Sequence, residues 1–148
     1  MQTIDVDGLR VGPDAPPRIM GVLNLSAESP YDPSVYTDAA AAATYVEEEL
    51  IGEGADIVDV GLESANKRFE VLDAAAELDQ LTVALEVIDR VESDVVWSIA
   101  TRYHEVAEAA LDGGLSMVND VCGFAAPQFP SVCAERCASV SQMAYPPA

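Results

Sequence analysis

The stretch Asp56-Ile57-Val58-Asp59-Val60-Gly61 is the part of the sequence that says most about the fold. It is a short run bounded by turn residues, and it is too apolar to leave one face in water. Strands of this kind occur in parallel sheets that are covered on both sides. We therefore expect residues 56–61 to form a buried strand of a parallel sheet.

Four other apolar runs have the same character, and helical patterns separate them. The predicted strands are Ile19–Asn24, Asp56–Gly61, Val95–Ile99, Leu115–Asn119 and Val140–Tyr145. Strict alternation of strands and helices with short loops specifies a parallel sheet with right-handed crossovers. The sheet is then either an open doubly wound one or part of a closed barrel, and periodicity alone does not distinguish the two.

The predicted helices are recognised by their caps and by one apolar stripe each. The expected caps are Thr37 or Asp38, Asp73 and Thr101, while Gly52 with Gly54 and Gly113 with Gly114 end the first and third helices. A short fourth helix is expected at Phe129–Ala138. The expected buried stripes are Ala39, Ala43, Val46 and Leu50, then Leu78, Leu81, Leu85 and Ile88, then Val106, Ala107, Ala110 and Leu111.

The chain is strongly acidic. Its 148 residues suit one domain, and 26 acidic residues against 7 basic ones give a formal charge of −19. Such a chain repels nucleic acid and anionic membranes, so neither is expected as a partner. The acids are spread along the chain, and Glu77 is among those we expect at the surface. This pattern with a single lysine, Lys67, favours a halophilic protein adapted to concentrated salt over an ordinary acidic one.

Targeting signals and disulfides are not indicated. The first ten residues have no apolar core segment, and no uncharged apolar run reaches ~18 residues. The three cysteines, Cys122, Cys133 and Cys137, are an odd number without disulfide-like spacing, which predicts free thiols. A cytoplasmic location is the expectation. A fourth metal ligand is missing beside the cysteines, and the only histidine, His104, is expected at the surface.

Ligand sites of parallel β/α proteins lie at the carboxyl ends of the strands, and the chain becomes recognisable there. Residues 19–26 (Ile-Met-Gly-Val-Leu-Asn-Leu-Ser), 54–64 (Gly-Ala-Asp-Ile-Val-Asp-Val-Gly-Leu-Glu-Ser) and 118–123 (Val-Asn-Asp-Val-Cys-Gly) resemble dihydropteroate synthase. The three motifs come in the order and spacing of that family. The resemblance covers about residues 18 to 145.

The resemblance implies an eight-fold (β/α) barrel, which needs ~250 residues. Residues 1–148 would then be one pterin-binding domain, truncated at its C-terminal side, with about strands 1 to 5 of the barrel. The family joins p-aminobenzoate to hydroxymethyl-dihydropterin diphosphate and expels pyrophosphate with Mg²⁺. By resemblance, Asn24 lies beside the diphosphate or its metal, Asn119 hydrogen-bonds the pterin, and Asp120 matches the motif with a role that could be structural.

The departures from the family pattern fall in the same segments. Residues 26–30 read Ser-Ala-Glu-Ser-Pro where the family has Thr-Pro-Asp-Ser-Phe. Ala65 and Asn66 replace the threonine and arginine that would meet the diphosphate, and Ala100 replaces an aspartate that grips the pterin. Three cations on the active face offer a partial compensation as anion-binding residues, and these are Lys67, Arg68 and Arg102.

Two hypotheses of function follow. The first is an enzyme of folate-type pterin synthesis whose missing strands are supplied elsewhere or belong to a longer chain, and the second is a non-catalytic paralogue acting as a binding or partner subunit. A pterin-dependent methyltransferase shares the barrel, but it too keeps an acidic anchor where Ala100 stands. Five strands leave two open edges and an uncovered inner face, so we expect a homodimer or a complementing half-barrel. The residues expected to be exposed there are Val22, Ile57, Val58 and Val96.

Overall fold

A computed structural model describes residues 1–26, 36, 38–63 and 72–144 of the chain. The described strands form an antiparallel hairpin, β1 and β2, and a parallel sheet of five strands, β3 to β7. Their bounds are β1 Ile4–Val6, β2 Leu9–Val11, β3 Met20–Asn24, β4 Ile57–Gly61, β5 Val96–Thr101, β6 Met117–Asp120 and β7 Ser139–Gln142. The predicted order of five parallel strands is confirmed.

The helices follow the strands in alternation. They are α1 Ala39–Tyr45, α2 Ala74–Arg90, α3 His104–Asp112 and α4 Phe129–Glu135, and α1 continues as a π-helical segment over Val46–Ile51. Asp38 and Asp73 cap α1 and α2 as expected, each by accepting a hydrogen bond from a backbone amide of the first turn. The prediction for Thr101 is wrong, because Thr101 ends β5 and Tyr103 is the residue before α3.

The sheet order distinguishes a partial barrel from a doubly wound sheet. The five parallel strands lie side by side in chain order, β3-β4-β5-β6-β7, whereas a doubly wound sheet reverses its order near the middle. Strand residues such as Val60 and Ile99 pack with residues of all four helices in one core, so these helices cover the same, outer face. The chain therefore forms five consecutive strands of a partial (β/α) barrel.

The inner face is closed at its lower end by a hairpin that the pattern analysis did not foresee. The turn residues Asp7 and Gly8 both have positive φ, 51° and 87°, which is the conformation that joins two short antiparallel strands. Val6 from this hairpin packs with Ile57, Val96 and Met117. The hairpin thus acts as a plug for the bottom of the partial barrel.

We expected four apolar residues of the inner face to be exposed, and for most of them this prediction is wrong. Ile57 and Val96 are buried beneath the hairpin, and Val58 is buried because it points to the helices on the other face. Only Val22 of the four residues is exposed, at 60%. The apolar surface that remains open is therefore concentrated near the edge strands and not across the whole sheet.

No helix in the described ranges is both long enough and apolar enough to cross a lipid bilayer. The longest, α2, has 17 residues and an amphipathic pattern. Its buried residues are Glu77, Leu81, Ala84 and Val87, with Leu78, Leu85 and Ile88 partly buried beside them.

Candidate functional site

One row of inner-face residues crosses the whole sheet near its carboxyl edge. The strand register places Asn24 beside Gly61, Gly61 beside Ala100, Ala100 beside Asn119, and Asn119 beside Ser141. All five residues are partly exposed. We call these five residues the upper row. It unites the two predicted amide ligands, Asn24 and Asn119, with the Ala100 that departs from the family.

A second polar layer lies just below the upper row. Asp59 is paired in register with Ser98, and it is only 6% exposed. The Asn119 amide nitrogen Nδ2 donates a hydrogen bond of 3.0 Å to Asp59 Oδ2. Burial raises the pKa of the Asp59 carboxyl above its ordinary value, and the Asn119 donor partly opposes that rise. Within the described residues, Asp59 Oδ1 and Ser98 Oγ are buried without a hydrogen-bond partner.

Asn24 shapes the loop that follows β3. Its side-chain Oδ1 accepts a hydrogen bond of 3.0 Å from the Ser26 amide, which is a local turn of the kind that asparagine favours. The next residue, Leu25, donates from its amide to Gly61 O and accepts from Gln80 Nε2 of α2. The start of the loop is therefore fixed to β4 and α2, and Asn24 is fixed with it.

Asp120 has the structural role that its sequence position left open. It is 1% exposed, and its two carboxylate oxygens accept hydrogen bonds from the backbone amides of Cys122 and Phe124. Gly123 and Phe124 both have positive φ, 63° and 59°, so the chain turns sharply there. Asp120 thus holds the loop after β6, directly behind Asn119.

Of the three predicted cations, Arg102 is the one that the structure describes. Its guanidinium lies 3.0 Å from the Glu63 carboxylate, so it links the segments that follow β4 and β5 at the carboxyl edge of the sheet. The Glu63 carboxylate already neutralises this cation, and an anion at Arg102 would have to compete with it. Lys67 and Arg68, with Ala65 and Asn66, lie outside the described residues.

Glu77 is a buried acid that the sequence analysis placed at the surface. It is 1% exposed in the first turns of α2, and its Oε2 accepts a hydrogen bond of 3.0 Å from Thr101 Oγ1. Thr101 Oγ1 in turn accepts from the Tyr103 amide. Burial, together with the nearby Glu63 charge, raises the pKa of Glu77 to about 7, while the Thr101 hydrogen bond and the Arg102 charge oppose the rise.

Asp59 and Glu77 are the polar residues of this region that sequence reasoning missed. Asp59 carries a usable signal, because a lone carboxylate within an apolar strand must either find a partner or point to a functional cavity. Glu77 carries no such signal. It occurs on a helix rich in exposed acids, and only the packing of α2 on β5 shows that it is buried.

The remaining candidates do not form a site. The described residues include no cluster of three or more His, Cys, Asp or Glu side chains that could hold a metal. Cys122, Cys133 and Cys137 are free thiols, as predicted. Cys133 is buried on α4, whereas Cys137 is exposed just beyond the end of α4. His104 lies beside Glu105 in the first turn of α3.

Comparison with known proteins agrees with this geometry. The family model described as "Pterin binding enzyme" matches residues 20–147. A probable bifunctional folylpolyglutamate synthase/dihydropteroate synthase of Halobacterium salinarum is 36% identical over 126 residues, which cover 84% of this chain and 15% of that protein.

Two solved dihydropteroate synthases are similar in structure. The Xanthomonas albilineans enzyme with 4-aminobenzoic acid is 30% identical with a TM-score of 0.78, and the alignment covers 99% of this chain and 53% of that one. The Anaplasma phagocytophilum enzyme with 6-hydroxymethylpterin-monophosphate is 31% identical with a TM-score of 0.70, covering 86% and 46%. The chain spans about half the length of these solved relatives. It is a dihydropteroate-synthase-like member of the pterin-binding enzyme family.

Proposed function

We propose that this chain forms the pterin-binding half of a dihydropteroate synthase, which condenses hydroxymethyl-dihydropterin diphosphate with p-aminobenzoate and releases pyrophosphate. The observation that carries the proposal is the upper row, in which the side chains of Asn24 and Asn119 occupy one inner edge with the small residues Gly61 and Ala100 between them. The ligands of the two solved relatives, a pterin monophosphate and 4-aminobenzoic acid, support it.

The spacing of the two amides suits a substrate with two different ends. Three strand intervals separate β3 from β6, which corresponds to about 14 Å along the sheet. A pterin ring at Asn119 then leaves room for a diphosphate near Asn24. A Cβ built on Gly61 would have only Leu23 O within 4 Å, at 3.9 Å, so the inner face is open at this position. Holding both ends of the substrate in place orients the carbon that p-aminobenzoate attacks.

Charge is the main obstacle to binding a diphosphate in this chain. The formal charge of −19 repels any polyanion, and the Glu63 carboxylate already neutralises Arg102. The substrate therefore needs cations that accompany it or that come from elsewhere. Arg102 contributes once the phosphate displaces Glu63, and Lys67 and Arg68 are further candidates.

Mg²⁺ fits this requirement as a substrate-borne cation. It prefers oxygen ligands and is commonly held by one or two protein groups together with substrate phosphates and water. Asn24 Oδ1 is a carbonyl oxygen that accepts one hydrogen bond, from Ser26, and its second lone pair can bind the metal. When bound, Mg²⁺ would neutralise the charge of the leaving pyrophosphate.

The five parallel strands of the described residues do not by themselves enclose the inner face. The edge strands β3 and β7 each have one side without a strand partner in the described residues. We propose that three further parallel strands complete the barrel, either from a complementing half, in the same polypeptide or another, or through a homodimer that approximates one. The exposed apolar residues Met20 and Val22 on β3 would be covered by that partner.

A second candidate function is a non-catalytic pterin-binding subunit. Ala100 favours it, because an alanine in the upper row offers no side-chain acceptor to the donors of a pterin ring. The Arg102–Glu63 pair favours it as well, because it makes Arg102 a poorer phosphate ligand. Binding of the pterin is common to both candidates, and only turnover separates them.

The test is therefore in two parts. Calorimetric titration of 6-hydroxymethylpterin into the full chain, in molar potassium chloride, should show saturable binding that Asn119→Leu abolishes. Gln142→Leu, an exposed position at the end of β7, is the matched control and should bind normally. Formation of dihydropteroate from the diphosphate and p-aminobenzoate with Mg²⁺ would assign the enzyme, whereas binding without turnover, even with a completing half, would assign the subunit. Absence of pterin binding would refute both.

A further inference from the structure

The Asp59–Asn119 hydrogen bond determines which end of the Asn119 amide faces the ligand. An ionised carboxylate can only accept hydrogen bonds, so the group that faces Asp59 Oδ2 at 3.0 Å must be the NH₂ of Asn119. The carbonyl oxygen Oδ1 then points away from Asp59. The orientation of this amide follows from chemistry, since the reversed amide would bring two acceptors together.

The carbonyl oxygen of Asn119 is the side-chain acceptor left for a ligand at this point of the upper row. Within the described residues it has no hydrogen-bond partner, whereas the amide nitrogen is engaged by Asp59. Its register neighbour on β5 is Ala100, whose methyl group neither donates nor accepts. Asn119 is itself partly exposed, while Asp59 is 94% buried behind it.

We propose that Asp59 is a positioning residue that locks Asn119 with its carbonyl oxygen toward the ligand, so that the site selects a heterocycle presenting an exocyclic amino group there over one presenting a carbonyl at the same ring position. This inference rests on the proposed pterin-binding function. Asp59 lies on β4 two residues before Gly61, below the upper row. It would therefore influence which ligand binds without contacting the ligand itself.

We call the fixed orientation of the Asn119 amide beside Asp59 the lock. The lock depends on the ionised form of Asp59. The side chains next to this carboxyl in the described part of the chain are Asn119 from β6, which donates to it, and Ser98 from β5, its register neighbour, and neither is charged. Burial raises the pKa of Asp59, so the lock weakens as the pH falls through that raised value. Once Asp59 is protonated, its O–H can donate, and the reversed amide becomes acceptable.

The test compares pterin with lumazine, in which a carbonyl replaces the 2-amino group of the same ring system. The full chain should bind pterin at least tenfold more tightly than lumazine at neutral pH. Asp59→Asn allows either amide orientation and should bring the ratio of the two affinities close to one. Asp56→Asn removes the same charge near the start of β4, where Asp56 pairs with Arg18 away from Asn119, and should leave the ratio unchanged.

The outcomes separate this inference from the function on which it rests. If the unaltered chain binds pterin selectively and Asp59→Asn keeps the selectivity, the lock is refuted and the pterin site stands. If the chain binds neither compound, both fail. Should Asp59→Asn not fold, side-chain amide NMR of the unaltered chain decides, since one Asn119 amide proton must exchange slowly with water. Free exchange of both protons would overturn the lock.

Discussion

Ala100 and Asn119 are direct partners in the register of the parallel strands β5 and β6, and both side chains lie on the inner face of the sheet. The methyl group of Ala100 therefore adjoins the proposed pterin position, where a ligand N–H needs an acceptor. The missing acceptor at position 100 is a local change, because the hydrogen bonds of Asn119 with Asp59 and of Asp120 with the loop after β6 are present beside it.

Replacing Ala100 should strengthen ligand binding. Ala100→Asp adds an ionised acceptor and should raise the affinity for 6-hydroxymethylpterin about tenfold or more, the size expected for one charge-assisted hydrogen bond. Ala100→Asn has nearly the same shape without the charge and should give a smaller gain. Titration calorimetry measures both. An affinity that neither substitution changes would show that position 100 does not face the ligand.

Asp120 should matter for stability through the loop after β6. Asp120→Ala leaves the amides of Cys122 and Phe124 without their acceptor, which should cost on the order of 2 to 4 kcal/mol of unfolding free energy. Asp120→Asn keeps one acceptor and should cost less. Urea unfolding monitored by circular dichroism checks the order of the two variants, and equal losses would contradict the dual role of the carboxylate.

The sequence predicted the sheet and its polar row better than the buried acids. The strands could be located from the sequence because short apolar runs such as 56–61, bounded by turn residues, are typical of buried strands. Asn24 and Asn119 were identified because they lie at strand ends within recognisable motifs. The hairpin was missed although Asp7-Gly8 is a strong turn signal, because strands of three residues give no periodicity. The burial of Glu77 depends on how α2 packs against β5, which is a tertiary property that local pattern cannot contain.

Glu77 should make stability depend on pH near neutrality. Its folded-state pKa of about 7 lies above the ordinary value of 4.5, so its favourable contribution is complete below about pH 4.5 and is lost as the pH rises through 7. Glu77→Gln keeps an acceptor for Thr101 and carries no charge. At about pH 8 the variant should be more stable than the unaltered chain by on the order of 1 to 3 kcal/mol, and near pH 4.5 the two should converge.

Chemical unfolding across this pH range tests the Glu77 prediction. Other carboxyl groups titrate equally in both proteins, so the difference between them reports on Glu77 alone. A constant difference at all pH values would mean that Glu77 does not change its protonation state on folding.

Salt should stabilise the fold if the acidic composition is an adaptation to it. Self-repulsion in a chain of charge −19 opposes compaction, and screening shortens its range to ~3 Å at 1 M. The melting temperature should therefore rise from dilute buffer to molar potassium chloride. The exposed acids Glu48, Glu49 and Glu53 allow a control, since a variant with glutamine at all three should depend less on salt. A midpoint that is flat or falls with salt would exclude the adaptation.

The open edge should make the isolated chain associate with itself. Ile19, Met20 and Val22 are exposed at and beside β3, and unpaired strand edges attract other strands. Sedimentation in molar salt should show species larger than the 15.6 kDa monomer, and Met20→Thr with Val22→Thr should reduce them. Ile4→Thr, an exposed residue of the hairpin, should have no effect. A sharp monomer that unfolds cooperatively would show that five strands and the plug are sufficient.

The measurement that bears most directly on the proposed function is a map of backbone amide shifts as 6-hydroxymethylpterin is added to the ¹⁵N-labelled chain in molar potassium chloride. The upper row predicts that the amides of Gly61, Ala100, Asn119 and Ser141 shift saturably with a common dissociation constant, while those of the hairpin residues do not. Thr44 of α1 and Ser93, just after α2, line a separate groove on the outer, helix-covered side. A pterin site on the inner face would be contradicted if the shifts were confined to that groove, or if no amide shifted saturably.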